Sequence, residues 1–211
     1  MPVQLNASGV WGSSAFSWDP AVCCSAAITS TAANTFTPTG FTGGGQIGAN
    51  YQINQFVVGL EGDINYVGLS AGRDVFSVPG ATIDHESVQS KWLATFRGRF
   101  GFAMDTWLIY ATGGFAAGQV KTSDSIDTTP TGGSVFAISS DATRTGWTAG
   151  GGIEWALSRA WSIKGEYLHV DLGSIDYTGF TNPAGVNLMV TAHHNFREDI
   201  GRVGLNFRVG G

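Results

Sequence analysis

The 211-residue chain is only 13% charged, about half of the roughly 25% usual in soluble domains, although its hydrophobic content is an ordinary 43% and its net charge is −5. That length fits a single domain over residues 1–211, the acidic balance provides no basic patch for nucleic acid, and no apolar run approaches the ~18 residues of a membrane-spanning helix. If the chain crosses a membrane, it does so with strands.

Met1 to Asn6 has neither a positive region nor an apolar core, so a signal peptide is not expected in this sequence. Eight segments then alternate in polarity with period two, the mark of strands with two unlike faces. The first, 3–13, leads into a long polar connection, 14–41, which holds the cysteines Cys23 and Cys24. Adjacent cysteines cannot staple distant segments, and the pair is read as ordinary loop residues. In the second segment, 42–52, Ile47, Ala49 and Tyr51 oppose Gln46 and Asn50. A tight turn at 53–55 leads to the third, 56–67, where Val58, Leu60, Ile64 and Tyr66 oppose Glu61, Asp63 and Asn65. After a long connection, 68–90, with His85 between Asp84 and Glu86, the fourth segment, 91–102, sets Trp92, Ala94, Phe96, Phe100 and Phe102 against Thr95, Arg97 and Arg99.

A second tight turn, 103–106, precedes the fifth segment, 107–120, whose faces are hardly distinct: Leu108, Tyr110 and Thr112 oppose Trp107, Ile109 and Phe115. The connection 121–144 is long. In the sixth segment, 145–156, Trp147, Ala149, Ile153 and Trp155 oppose Thr148 and Glu154; in the seventh, 161–172, Trp161, Ile163 and Tyr167 oppose Lys164 and Glu166. A tight turn at 157–159 separates these two. The last long connection, 173–195, ends in His193 and His194, and the eighth segment, 196–209, sets Val203, Leu205, Phe207 and Val209 against Arg202, Asn206 and Arg208.

Each segment is near the ~9 to 11 residues that a tilted strand needs to cross a bilayer, and the count is even, as in single-chain bacterial barrels. The strict alternation of long and short connections gathers all short turns at one end and all long loops at the other, the periplasmic and extracellular asymmetry of outer-membrane barrels. The predicted fold is therefore all-β: an eight-stranded antiparallel up-and-down transmembrane β-barrel with short periplasmic turns and long extracellular loops. An Arg or Lys on the lipid face costs ~2 to 4 kcal/mol at the bilayer midplane, so the charged parity must face the lumen. Its deep charges balance: Glu61, Asp63, Glu154 and Glu166 against Arg97, Arg99, Lys164 and Arg202. Because eight strands enclose a space that side chains can fill, the expected interior is a plug of salt bridges. Trp and Tyr prefer membrane interfaces. Tyr51, Trp107, Trp155 and Trp161 flank the short turns, while Trp11, Tyr66, Trp92 and Trp147 lie toward the long loops, which predicts two girdles.

Six stretches now carry a family likeness: GGGQIGANY (43–51), VVGLEGDI (57–64), RGRFG (97–101), YATGGFA (110–116), GWTAGGGIE (146–154) and KGEYL (164–168). Together they resemble the alphaproteobacterial Omp25/Omp31-type "porin family" outer-membrane proteins, in register from the second strand to the eighth. The resemblance implies an eight-stranded barrel, exported through the periplasm and inserted in the outer membrane at the cell surface. Members usually end on an aromatic residue, whereas this sequence continues Phe207-Arg208-Val209-Gly210-Gly211, so a weaker insertion signal is expected.

The chemical candidates are few. His193 and His194 are weak haem candidates, because some members of the family resembled are described as haem-binding, but vicinal side chains on an extended segment point apart; the expectation is no cofactor, no metal and no catalytic residue. His169 with Ser162 or Ser174 is the nearest match to a barrel hydrolase, yet His169 and Ser162 have opposite parity on one strand. Gly43 to Gly45 and Gly150 to Gly152 lack the Lys-Ser/Thr of a phosphate loop and are read as letting strands approach closely. The expected role is a structural barrel of the envelope, monomeric or weakly oligomeric, in contact with outer-membrane lipid and lipopolysaccharide, presenting its loops to host or neighbouring envelope proteins. Two alternatives stay open: a small porin or haem- or ligand-capturing barrel, and a soluble lipocalin-like binder with the opposite parity inside.

Overall fold

The computed structural model describes residues 4–17, 21–23, 39–77, 82–128, 133–181 and 188–209. These residues form nine strands: β1 (Gln4–Ser17), β2 (Ala21–Cys23), β3 (Thr39–Ile53), β4 (Phe56–Ser77), β5 (Thr82–Met104), β6 (Trp107–Thr128), β7 (Gly133–Ala156), β8 (Trp161–Thr181) and β9 (Leu188–Val209). Apart from β2, each strand pairs antiparallel with its neighbour in sequence. β1 is bonded to β3 on one side and to β9 on the other, so the sheet returns to its own first strand. The three-residue β2, which the sequence reading placed inside a loop, adds to β9 through Ala21 opposite His193.

At one end the connections are tight. Asn54 and Asp105 adopt positive φ (55° and 50°), a conformation that these two residue types tolerate better than most. In the third turn Ser158 Oγ accepts hydrogen bonds from the backbone N–H groups of Ala160 and Trp161. At the other end the expected loop boundaries need correction. The segments 68–90, 121–144 and 173–195 are largely paired strand: β4 and β5 stay paired out to Ser77 opposite Thr82, and β6 and β7 out to Thr128 opposite Gly133. The reason is physical. Beyond the bilayer neither face has to be apolar, so the period-two contrast fades from the sequence while backbone pairing continues.

Register shifts mark the transition. Three fall between Tyr66 and Leu69, Ser90 and Leu93, and Asp171 and Ser174, close to the ends of the alternating segments, and a fourth lies farther out between Ile126 and Asp127. Gly173, at the shift between Asp171 and Ser174, has φ +79°, and its N–H donates to Asp171 Oδ1 at 2.8 Å. A side chain there would be strained.

The parity is inverted relative to a soluble fold. Phe96 is 60% exposed and Phe100, Ile153, Val203 and Leu205 are similarly open, while Arg97, Lys164 and Asn206 are at most 1% exposed. The lipocalin-like alternative required the reverse. Among the outward aromatics, Tyr51, Trp107, Trp155 and Trp161 are exposed at the short-turn end, with Trp107 and Trp155 stacked at 5.5 Å. Tyr66 and Trp147 are exposed toward the other end and Trp92 is half-buried. The side chain of Trp11 lies outside the described residues.

Candidate functional site: the charged lumen

Charged side chains on the inward faces of five strands, β4, β5, β7, β8 and β9, converge on two tiers. In the upper tier, Arg97 of β5 donates to Glu61 and to Asp63 (2.7 Å) of β4 and to Glu166 of β8 (3.1 Å), and its Nε reaches Thr95 Oγ1 at 2.9 Å. Arg202 of β9 donates to Glu166 and lies 3.3 and 3.4 Å from Asp63 and Glu61. Lys164 bonds Gln46 and Glu61, the latter at 3.1 Å. Asn65 and Thr95 each donate to Asp63 at 2.6 Å. Three cations and three carboxylates thus share one buried network, in which burial is offset by pairing and hydrogen bonds.

In the lower tier, nearer the short turns, Glu154 of β7 accepts from Arg99 (2.6 Å), Ser162 (2.6 Å) and Arg208 (2.9 Å). A contact of 3.9 Å between Arg99 and Glu61 joins the tiers. The structure therefore brings together all eight charges that parity selected: Glu61, Asp63, Arg97, Arg99, Glu154, Lys164, Glu166 and Arg202.

Room for these side chains comes from glycine. A Cβ on Gly114, directly across from Arg97 in the β5–β6 register, would stand 2.1 Å from the Phe96 carbonyl oxygen, and one on Gly152 would stand 2.4 Å from that of Gly165 and 2.6 Å from the Tyr110 hydroxyl.

Sequence reasoning missed several members of the site. Tyr110 lies inward and donates to Glu166 at 3.0 Å, although its strand showed little polarity contrast. Glu198 is buried on the same side, and Arg208 had been placed on the polar face of its strand without being counted. Above the charged tiers the lumen turns apolar: Val67, Leu93, Leu168, Val170, Phe196 and Ile200 are all buried in one cluster. These share parity with the charges, so alternation puts them on the inward face, but not their assembly into one apolar layer.

The other candidates do not assemble into chemistry. His169 bonds Asp199 at 2.8 Å on the outer face and packs against Trp147, whereas Ser162 points inward to Glu154. Asp199 also accepts from Tyr167, and Arg197 pairs with Asp171. His193 and His194 stand in β9 opposite Asp176 and Ile175, and His85 in β5 opposite Asp74; their side chains, and Cys24, lie outside the described residues. Among the described residues no three His, Cys, Asp or Glu side chains are placed to hold a metal. Farther out, Lys121 sits 2.5 Å from Asp141, and its hydrogen bond, with one from Gln119, holds that exposed carboxyl below the usual carboxylate range.

Comparison with known proteins places this geometry. A family model described as "Outer membrane protein beta-barrel domain" matches residues 4–205. The 31 kDa outer-membrane immunogenic protein of Brucella melitensis is 32% identical over 173 residues, covering 82% of this chain and 68% of that protein. The 22 kDa outer membrane protein of Rhizobium leguminosarum is 36% identical over 140 residues, 64% of this chain and 54% of its own length. Among solved structures, the outer membrane protease OmpT of Escherichia coli has a TM-score of 0.55 at 10% identity, covering 98% of this chain and 97% of that one. OprG of Pseudomonas aeruginosa has a TM-score of 0.50 at 9% identity, covering 99% and 97%. At such identities the likeness concerns the fold alone.

Proposed function

The chain belongs to the outer membrane protein β-barrel domain family and resides in the bacterial outer membrane, and we propose that it is a structural barrel of the envelope whose lumen is closed by its own side chains. In this reading eight strands cross the bilayer, the tight turns face the periplasm, and the long hairpins β4–β5, β6–β7 and β8–β9 stand above the cell surface. The observation that carries it is the distribution of charge. Carboxylates and cations that would be costly against lipid are buried and paired inside, while the exposed band of Phe, Ile, Val and Leu matches a hydrocarbon surround.

Lipid and lipopolysaccharide are the partners of that band, and host or neighbouring envelope proteins those of the hairpins, since loops on a rigid scaffold carry recognition. The barrel acts as a monomer or weak oligomer, without cofactor. The reading is non-catalytic: His169 and Ser162 occupy opposite faces of β8. Proteolysis of intact cells tests the orientation. Cleavage should fall in the hairpins after β4, β6 and β8 and leave the turns at Asn54, Asp105 and Ser158 untouched; cutting at those turns from outside would reverse it.

A further inference from the structure

On the outer wall, one polar cluster interrupts the apolar band. Asp199 of β9 faces outward with its side chain 52% exposed; its Oδ1 accepts the Tyr167 hydroxyl at 2.6 Å and stands 2.8 Å from His169 Nδ1. One row toward the hairpins, Arg197 Nε donates to Asp171 at 3.2 Å, and the exposed ring of Trp147 packs beside His169. His169 lies eight residues along β8 from Trp161 of the short-turn girdle. At ~3.3 Å per residue and a tilt of ~40°, that puts it roughly 20 Å up an apolar band about 25 Å tall. An ionisable group at that depth is costly against acyl chains, so something polar has to cover it.

The cluster is open to donors and acceptors alike. Among the described residues, Asp199 Oδ2 accepts no hydrogen bond and the two Nη groups of Arg197 donate none. Directly below, the wall is hollow. Gly201 lies opposite Tyr167 and Gly165 opposite Val203, and a Cβ on either glycine would meet nothing within 4 Å. The two positions form a diagonal groove between the exposed side chains of Tyr167 and Val203.

We propose that this face of β8 and β9 is a site for one glycolipid molecule, with a phosphorylated amino-sugar headgroup on the polar cluster and an acyl chain in the glycine groove. Two carboxylates beside a single guanidinium do not select a bare anion. A sugar instead supplies hydroxyl and amide donors to Asp199, while its phosphate takes the free fork of Arg197. Trp147, at headgroup depth, offers an amphipathic ring to the sugar's C–H face. Lipopolysaccharide is the outer-leaflet lipid with such a headgroup, so its assignment rests on the proposed position of the hairpins above the cell surface.

Native mass spectrometry of the full chain, folded in detergent micelles, tests the site with purified lipid A as the probe. Phosphatidylethanolamine, which joins an ammonium to a phosphate, is the competitor. A micelle has no sides, so this experiment and the proteolysis of cells fail separately. One bound lipid A per chain is expected, retained against an equimolar amount of phosphatidylethanolamine. Asp199→Leu, which suits a lipid-facing position, should weaken binding roughly tenfold or more, as loss of a charged hydrogen-bond acceptor does. Gly201→Leu, which fills the groove and keeps every polar group, should weaken it similarly. Lys121→Gln, farther out on β6, should leave it unchanged. Absence of the complex, displacement by equimolar phosphatidylethanolamine, or undiminished binding by the Asp199→Leu or the Gly201→Leu protein would overturn the proposal.

Discussion

The guanidinium of Arg99 lies over the ring of Tyr110, 3.6 Å from its centroid. That contact couples the two charged tiers, because Arg99 holds Glu154 below while the Tyr110 hydroxyl holds Glu166 above. Tyr110→Phe keeps the ring and loses one hydrogen bond to a carboxylate that has other donors, so it should cost about 1 kcal/mol. Tyr110→Leu also removes the cation–π contact and should cost about 1 to 2 kcal/mol more. Urea unfolding in detergent, followed by tryptophan fluorescence, separates the two; equal losses would show that the stacking contributes nothing.

Removing Glu154 leaves Arg208 without its carboxylate and Arg99 with only the 3.9 Å contact to Glu61. If the lower tier is dry, Glu154→Ala should destabilise the barrel by roughly 3 to 5 kcal/mol; water reaching it from the short-turn end would reduce this toward the ~0 to 1 kcal/mol of an exposed pair. The matching change at the exposed Lys121–Asp141 pair, Asp141→Ala, should leave the unfolding midpoint where it was. Similar losses for both would mean that the lumen pairs are as wet as surface ones.

The outer band is tested by charge. Leu60, 56% exposed midway along the first ten residues of β4, should tolerate Arg poorly in lipid vesicles, by ~2 to 4 kcal/mol at the midplane. Gln119→Arg, beyond the upper aromatics on β6, should cost close to nothing. Equal tolerance at the two positions, measured as folding yield and unfolding midpoint in vesicles, would argue against a lipid-facing surface at Leu60.

Gly114 leaves no space for a methyl group beside the Phe96 carbonyl. Gly114→Ala should push β5 and β6 apart at the level of Arg97, with a cost of typically 1 to 3 kcal/mol. Gly165, whose added Cβ would meet nothing within 4 Å, is the internal comparison. Its Ala variant should unfold within a few tenths of a kcal/mol of wild type, as surface changes generally do, and a larger loss than at Gly114 would contradict the packing described here.

What the sequence made legible follows from energy. Glu61, Arg97, Lys164 and Arg202 could be placed inside from parity alone, because the lipid face forbids them and alternation fixes their neighbours. Leu93, Leu168 and Val170 share that parity, so alternation puts them inside as well; that they close into one apolar layer above the charges depends on packing around the whole barrel, which no single segment records. Tyr110 was hidden because a phenol is apolar along most of its length and polar only at the hydroxyl that Glu166 uses. The strand ends past Val67 and Val120 look like loops in the sequence because Ser, Thr and Asp there remove the polarity contrast between the two faces. Arg208 lies on the polar face of its strand, but its contact with Glu154 across the barrel has no signature in either segment.

The central claim is that the lumen is closed, and a planar lipid bilayer tests it most directly. With Arg97 and Lys164 at 0% side-chain exposure and an apolar cluster above them, the wild-type protein inserted at single-molecule level should give no steady ionic current in either polarity. Large, stable single-channel steps from the unmodified chain would show instead that the charged residues line a pore, and the plugged barrel would have to give way to a porin.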